Sequence, residues 1–404
     1  MNLLKNSKVS VVAVAVATSV GVAAVSAASS SAAVSPRSST VSAASFTNNF
    51  SAMKALKSVS AAGTGSIDEI LPDTTSSTRY TEFDTPDFNK AAAAAGLPSS
   101  DYKSQNAGGS DSTFITDAKA DITAGAKVLL IDPEDSGTGI QVENYAASHG
   151  VKVIDYDRLD IGSNAPADPY VSFNNVEVGT LIGKGFVSCA ASWLKGQTPN
   201  VIVMHGSPTD NNATLFSEGY MGVLDPLFKS GKYKEAANTA GTWNPTSPSP
   251  DALDEFKSAY TAHPTANSAL IPNDENGAPI ITYLQSKGVK PDTFPTTGQD
   301  ATLTGLDNIL SGYQCGTVYK AVYKEAQAAV ALAIYYRAGK TPPTGLLNGT
   351  TTDPTNHKKV PSVLLSPVWV TPQNMKSTII ADNFVPKSQL CAGTYAKDCT
   401  KYGI

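Results

Sequence analysis

Short apolar segments that end in polar clusters recur along this chain, and helical patterns separate them. The apolar segments lie at residues 127–131, 151–154, 201–204, 269–271 and 292–294. The polar clusters follow at residues 132–135, 157–158, 205–212, 273–274 and 299–300. This alternation predicts right-handed βαβ units with parallel sheets, because parallel neighbours are joined by helical crossovers. The sequence therefore predicts an α/β protein whose polar strand ends line a shared cleft.

The segment 151–179 brings two of these strand ends close together. Its β-branched residues 151–154 predict a buried strand that delivers Asp157 and Arg158 to its carboxyl end. A second strand is predicted at residues 170–173, and a helical pattern follows it. We expect both ends to face the same cleft, where open α/β sheets bind ligands.

Length and charge narrow the class of protein. The chain has 404 residues, which exceeds the roughly 250–300 residues that one hydrophobic core serves, so two domains are predicted. The net charge is -5, which argues against a nucleic-acid partner because such a partner needs clustered Lys and Arg.

The N-terminal residues 1–27 are predicted to be an export signal, because two lysines precede an apolar run that ends in small residues. Residues 28–64 are predicted to be a leader that is disordered to residue 45 and then forms a short amphipathic helix over 46–59. We therefore expect an exported protein in the periplasm or at the extracellular cell surface.

Four cysteines in an exported chain favour disulfides over metal ligation or thiol catalysis. Cys391 and Cys399 are close enough to pin a short tail, residues 386–404, by a disulfide. Cys189 and Cys315 could pair by elimination, but each has apolar or small neighbours among which a buried free thiol is equally ordinary.

Seven short motifs stand out in the chain: PDTTSSTRY, YDRL, YVSFNNVEVG, GSPTDNNA, PND, TGQDA and TVYK. By their order and spacing, the chain resembles the xylose-type sugar-binding proteins of ABC importers over residues 67–370. The resemblance implies a type I periplasmic-binding-protein fold, with two doubly wound parallel-sheet lobes joined by a three-strand hinge. It also implies an extracytoplasmic protein that captures a monosaccharide, xylose or a related aldose, for an ABC importer permease.

On this basis the lobes can be assigned to segments of the chain. The N-terminal lobe is expected at residues 65–173 plus 321–344, and the C-terminal lobe at residues 174–320 plus 362–385. Residues 341–361 are expected to connect the lobes, because they are rich in Pro and Thr. We expect a monomer.

Ten sugar-binding residues are implied where this chain matches the family's motifs. They are Arg79, Tyr80, Asp157, Arg158, Asp210, Asn212, Trp243, Asn273, Asp300 and Lys320. Such side chains suit a neutral polyol, since hydroxyl groups both donate and accept hydrogen bonds and a ring can cover the apolar face of the sugar. Simpler roles stay open at this stage: Asp210 and Asn212 can cap a helix, and Asp157 and Arg158 can form a local salt bridge.

One position departs from the family. Relatives carry a Trp-x-x-x-Trp pattern, of which Trp243 matches the first ring while Ser247 occupies the second place. Another group is expected to cover the apolar face of the sugar, and Trp243 can equally be a core residue.

Two other functions compete with transport. A sugar sensor that feeds a chemoreceptor or sensor kinase would use the same lobe closure. A secreted carbohydrate-active hydrolase is the enzyme alternative, but the chain has no G-x-S-x-G motif and its four histidines are scattered. We therefore expect no catalysis, no metal and no cofactor.

Overall fold

Strands and helices alternate along most of the chain, as the sequence predicts. The computed structural model describes residues 41–165, 169–239 and 251–404, so the predicted signal at residues 1–27 lies outside the described residues. The strands are β1 (Ser66–Leu71), β2 (Tyr102–Asn106), β3 (Ala126–Ile131), β4 (Lys152–Tyr156), β5 (Tyr170–Phe173), β6 (Asn200–Val203), β7 (Lys234–Asn238), β8 (Ser268–Leu270), β9 (Gly298–Gln299), β10 (Thr317–Tyr319), β11 (Gly349–Thr352), β12 (Lys359–Leu365) and β13 (Val368–Val370). The helices are α1 (Lys57–Ser60), α2 (Thr85–Ala94), α3 (Asp111–Ala124), α4 (Ser136–Ser148), α5 (Asn175–Trp193), α6 (Asn211–Lys229), α7 (Asp251–Ala262), α8 (Asp274–Ser286), α9 (Leu303–Leu310), α10 (Val322–Arg337), α11 (Lys387–Leu390) and α12 (Ala396–Tyr402).

The fold has two halves, each assembled from separate parts of the chain. The first half is built, as far as the described residues show, on a seven-stranded sheet that takes strands from both the beginning and the end of the chain. Its strand order is β11-β12-β5-β4-β3-β1-β2, and all neighbours are parallel except β11 and β12. Helices α2 and α10 pack against each other, α10 covers the central strands, and α3 and α4 pack on β1, β3 and β4. The central strands are buried because helices cover the sheet, so they carry continuous apolar runs.

The second half contains two described sheets of three strands each. One has the order β7-β6-β8 and is parallel, and the other has the order β13-β10-β9 with β13 antiparallel. The two sheets adjoin where Ala269 N donates to Pro295 O at 2.9 Å. Helices α5 and α6 form the largest helix pair of this half. Their close approach requires glycine at position 179, because a Cβ there would lie only 2.0 Å from Phe216 O.

The chain passes between the halves at Asn174, at Lys320–Ala321 and at Ser366–Pro367, within the described residues. The third crossing corrects the predicted lobe boundary. Ser362–Leu365 was assigned to the C-terminal lobe, but it pairs in parallel with Tyr170–Phe173 in the first sheet. Its buried Val363 and Leu365 belong to the core that α10 covers, which explains this placement. Residues 341–361 are also more than a connection, since they contain β11 and the start of β12.

Two other local predictions are wrong. The part of the leader at residues 41–45 packs on the fold, because Val41 is buried and Ala43 N donates to Gly345 O at 3.2 Å. The amphipathic segment after it forms a 3₁₀-helix, Ser51–Leu56, and the one-turn α1. Residues 292–294 form a turn instead of a strand, because the prolines on either side have no N–H to donate to a sheet.

Both cysteine pairs are disulfides. Cys391 is joined to Cys399, as predicted, and Cys189 on α5 is joined to Cys315 just before β10, which decides the alternative that the sequence left open. The second pair fastens α5 to the sheet that contains β10.

The C-terminal segment, residues 371–404, returns to the crossing at Lys320–Ala321. Asp382 Oδ2 accepts hydrogen bonds from Tyr319 Oη at 3.0 Å and from Tyr323 Oη at 3.1 Å. Asp382 O accepts from Asn48 Nδ2 at 2.7 Å. Tyr319 belongs to the second half and Tyr323 to the first, so one side chain of this segment contacts both.

No helix within the described residues is both long and apolar enough to cross a membrane.

Candidate functional site

A polar cleft lies between the two halves, at the carboxyl ends of their strands. It encloses about 490 Å³ of space, counting the solvent at its mouth. Its lining comprises Ser76, Ser77, Asp157, Arg158, Gly206, Ser207, Asp210, Asn212, Ala213, Phe216, Pro272, Asn273, Asn276, Gln299 and Lys320. Six of the ten predicted sugar contacts are therefore in the lining: Asp157, Arg158, Asp210, Asn212, Asn273 and Lys320.

Asp157 follows β4 in a left-handed conformation, with φ of 59°. Its main-chain oxygen accepts hydrogen bonds from Ser172 Oγ at 2.8 Å, Tyr170 Oη at 2.9 Å and Asn212 Nδ2 at 3.0 Å. Non-glycine residues seldom adopt this conformation, and these three bonds hold it. They also join the first half to Asn212 on α6 of the second.

Arg158 is buried, and its guanidinium is fixed on both edges. Nη1 donates to Pro133 O at 2.9 Å, and Nη2 donates to Tyr80 Oη at 3.1 Å. Nε lies 3.5 Å from Asp210 Oδ2 and 3.6 Å from Asp132 Oδ1. Since Asp210 belongs to the second half, Arg158 also forms an ion pair across the cleft.

Arg79 and Tyr80 lie behind the cleft rather than in its lining. Arg79 donates to Asp84 through Nε at 2.9 Å and Nη2 at 2.7 Å, to Asp157 through Nη1 at 2.8 Å, and to Glu325 through Nη2 at 2.7 Å. A guanidinium has five N–H groups, so these four bonds use most of its capacity. Arg79 therefore holds Asp157, and Tyr80 holds Arg158.

The pKa values of Asp157 and Glu325 shift in opposite directions, because burial and nearby charges have different weights at the two carboxyl groups. Burial is the largest influence on Asp157, yet Arg79, Lys320 and Arg158 outweigh it and lower its pKa to about 2. For Glu325 burial outweighs Arg79, and its pKa rises to about 8. Asp157 is therefore an ionised acceptor at neutral pH, whereas Glu325 retains a proton.

Lys320 stands at the second crossing, directly after β10. Its Nζ lies 3.1 Å from Asp300 Oδ1 and 3.7 Å from Asp157 Oδ1. Burial alone would lower the pKa of Lys320, but Asp300 and Asp157 raise it. Asp300 is not in the lining, and its Oδ2 accepts a hydrogen bond from Ser77 Oγ at 3.2 Å across the cleft. Asp300 therefore contacts both Lys320 and the loop at Ser77.

The polar residues of the second half also cap its helices. Asp210 Oδ1 accepts from Asn212 N at 2.8 Å at the start of α6, and Asn273 Oδ1 accepts from Asn276 N at 2.8 Å at the start of α8. Both residues also line the cleft, where Asp210 Oδ2 lies 3.5 Å from Arg158 Nε. The cap and cleft roles therefore coexist, as the sequence allowed.

Phe216 is the aromatic residue in the cleft lining as far as the structure describes the chain, and it was not among the sugar contacts expected from the sequence. It lies four residues after Asn212 on α6, so both side chains project from the same helix face. This helical spacing was the signal that could have found it. Trp243 and Ser247 lie outside the described residues, so the predicted role of Trp243 stays a prediction.

Gln299 belongs to a polar cluster that the sequence predicted to line the cleft, but it was not among the ten implied sugar contacts. It lines the cleft, is 4% exposed, and its Oε1 has no hydrogen-bond partner among the described residues. A buried acceptor without a partner is costly unless a ligand or water supplies a donor.

A cleft between two α/β halves, with charged side chains from both, defines a two-lobed ligand-binding protein whose ligand lies between the lobes. The sequence matches the profile of the periplasmic binding protein domain over residues 69–341, and the chain belongs to this family. The predicted type I fold and the resemblance to xylose-type sugar-binding proteins are thereby confirmed.

Two curated relatives are D-xylose-binding periplasmic proteins. The one from Escherichia coli is 34% identical over 290 residues, covering 71% of this chain and 82% of the relative. The one from Haemophilus influenzae is 34% identical over 288 residues, covering 71% and 81%. These relatives and the family are binding proteins rather than enzymes.

Solved structures show the same fold. A carbohydrate transporter solute-binding protein from Chloroflexus aurantiacus, in complex with D-glucose, is 25% identical with a TM-score of 0.68, covering 80% of this chain and 97% of that one. An ABC transporter solute-binding protein from Clostridium phytofermentans, with bound β-D-glucose, is also 25% identical with a TM-score of 0.70, covering 80% and 99%.

Proposed function

We propose that this protein captures a monosaccharide, xylose or a related aldose, and delivers it to the permease of an ABC importer. The observation that carries the proposal is the convergence of Asp157 and Arg158 with Asp210, Asn273 and Lys320, from opposite halves, in one cleft. A sugar bonded to both halves favours the closed arrangement over an open one by its differential contacts. A permease can distinguish those two arrangements.

The chemistry of the cleft supports a neutral sugar. Arg158 and Lys320 donate to hydroxyl oxygens, the ionised Asp157 accepts from hydroxyl groups, and Asn273 can do both. Phe216 covers the apolar face of the ring, in the role that the second family tryptophan would have. Within this proposal Arg79, Tyr80 and Asp300 act by positioning the contact residues.

The proposal makes the protein a carrier that performs no catalysis. A glycoside hydrolase needs a carboxylic acid that can protonate the leaving group, and Asp157, with a pKa of about 2, cannot supply that proton at neutral pH. Burial raises the pKa of Asp210, but this carboxyl group already caps α6 and lies 3.5 Å from Arg158 Nε. We propose further that the chain is exported through the signal at residues 1–27 and works as a monomer at the outer side of the membrane.

Calorimetric titration with a panel of pentoses and hexoses tests the proposal. Arg158→Lys retains the charge but loses the fork that bonds Pro133 and Tyr80, and Asn273→Asp retains the cap of α8 but loses the amide donor. Each should weaken binding of the preferred sugar more than tenfold, about 1.4 kcal/mol.

Arg337→Lys is the matched control, because Arg337 is a buried arginine that bonds Gly65 O and Ser60 O away from the cleft. It should bind sugar like the wild type. If no sugar binds the wild type, the proposed function is wrong. If both cleft variants bind like the wild type, the site is wrong.

A further inference from the structure

Three acidic side chains lie together beneath the loop that carries Arg158. Glu143 projects from α4, Asp155 from β4, and Asp160 from the loop that follows Arg158. Each offers one carboxylate oxygen, and these oxygens all lie within 4.8 Å of one another. All three residues are buried, with exposed fractions of 8%, 4% and 3%. We call this group the Asp160 cluster.

Asp160 itself indicates that the cluster serves a ligand. Its Oδ2 is buried and has no hydrogen-bond partner among the described residues. No lysine, arginine or histidine among them forms an ion pair with Asp160 either. A carboxylate in this position requires a neutralising partner.

The fold makes room for the carboxyl group of Asp160. A Cβ at Gly139, in the first turn of α4, would lie only 1.8 Å from Asp160 Oδ2 and 2.1 Å from its Cγ. Glycine at this position is therefore required for Asp160 to approach the other two carboxylates. Two hydrogen bonds support the same arrangement: the main-chain Asp160 N donates to Asp155 Oδ2 at 3.2 Å, and the Ser163 hydroxyl Oγ donates to Glu143 Oε2.

Oxygen-only donor sets of this kind suit hard divalent cations. Calcium is bound at 2.3–2.6 Å by six to eight oxygens in flexible geometry, so two of its ligands can be up to about 4.8 Å apart. Magnesium demands near-ideal octahedral geometry at about 2.1 Å and keeps several waters, which a buried and irregular set of carboxylates does not favour. We propose that Glu143, Asp155 and Asp160 bind a calcium ion, whose other ligands are main-chain oxygens or water.

Calcium at this site would join three parts of the first half: α4, the end of β4, and the loop that begins at Asp157. That loop is otherwise held by Asp353 Oδ2, which accepts from Gly162 N at 2.7 Å, and by Lys358 Nζ, which donates to Ser163 O at 3.0 Å. The site is separate from the sugar contacts, so its test does not depend on the proposed function.

The test is a titration of the full chain with CaCl₂ after removal of metals with a chelator, followed by calorimetry and by the melting temperature. The wild type should show one saturable site at concentrations up to about 10 mM and a higher melting temperature with calcium. Asp160→Asn and Glu143→Gln should each weaken calcium binding at least tenfold. Circular dichroism establishes that the variants are folded.

Asp68→Asn is the matched control, because Asp68 is also a buried carboxyl group, on β1 outside the cluster. It should bind calcium like the wild type. The absence of saturable calcium binding to the wild type would overturn the proposal, as would wild-type binding by the folded Asp160→Asn. Equal affinity for MgCl₂ would overturn the assignment to calcium.

Discussion

Arg79 bonds two carboxyl groups whose titration should affect stability in opposite ways. Glu325 Oε2 lies 2.7 Å from Nη2 and Asp157 Oδ1 lies 2.8 Å from Nη1. Both carboxyl groups are buried, but Asp157 also has Lys320 and Arg158 near it. The informative perturbations are therefore Glu325→Gln and Asp157→Asn, each of which replaces a carboxyl group by a neutral amide of the same shape.

The expected magnitude for Glu325 follows from its pKa of about 8 in the folded protein against 4.5 as the ordinary value. Between these values the folded chain retains a proton that the unfolded chain releases, so wild-type stability falls as the pH rises. Each pH unit in that window corresponds to about 1.4 kcal/mol. Since glutamine does not titrate, the stability of Glu325→Gln relative to wild type should increase by roughly 3–4 kcal/mol from pH 5 to pH 8.

Asp157 provides the opposite case. Its pKa of about 2 lies below the ordinary value of 3.8, so its contribution is fully present above pH 3.8 and is lost as the pH falls towards 2. The difference corresponds to about 2.5 kcal/mol of stability. Asp157→Asn should therefore be less stable than wild type by about that amount, and equally so at every pH from 5 to 8.

Urea unfolding at four or five pH values, with the slope m held common, measures both effects. The two relative-stability curves should diverge as the pH rises, one climbing and the other flat. Parallel curves would show that Glu325 and Asp157 are ionised alike, and the assignment of a proton to Glu325 would then be wrong.

Three further outcomes are expected. Replacing Cys189 and Cys315 by serines should lower the free energy of unfolding in urea by about 5 kcal/mol, and replacing Cys391 and Cys399 should lower it by about 2.5 kcal/mol. The sequence separations are 126 and 8, and the entropy of loop closure grows with length. Equal losses would contradict this account. Phe216→Leu should weaken sugar binding about threefold to tenfold in calorimetry, because leucine keeps the apolar contact but loses the ring face. The free energy of unfolding should change by less than about 1.5 kcal/mol. Unchanged affinity would mean that Phe216 does not cover the sugar. Small-angle scattering should show a smaller radius of gyration with saturating sugar than without it, and an unchanged radius would contradict closure by a hinge.

The sequence predicted best the strands whose position in the fold depends on one property, their burial between helices. Strands β3, β4, β6 and β8 are buried apolar runs, so their composition alone distinguishes them from the helices between them. The cleft followed from the same pattern, because parallel strands deliver the polar residues after them to one edge.

The remaining errors come from contacts between distant parts of the chain. Edge strand β11 is Gly-Thr-Thr-Thr, which has no apolar pattern, and it forms only because Ser362 and its neighbours supply a partner strand. The predicted sugar contact of Arg79 stays a prediction, but its bonds to the carboxyl groups behind the cleft could not be foreseen, because they depend on where α10 places Glu325. Neither fact is encoded within a short window of residues.

The bonds of Asp382 have a consequence for the order in which a sugar would meet its contacts. Because Asp382 bonds Tyr319 and Tyr323 on either side of Lys320, we expect rotation of one half against the other to leave this crossing nearly in place. Lys320 would then be displaced least and would offer its ammonium group to a sugar in the open and closed arrangements alike. Two contacts join loops that lie away from this crossing, and they would form last. Ser77 Oγ donates to Asp300 Oδ2, and Thr78 N donates to Glu275 Oε1 at 3.1 Å. Capture would thus begin at the second crossing and end at the mouth of the cleft.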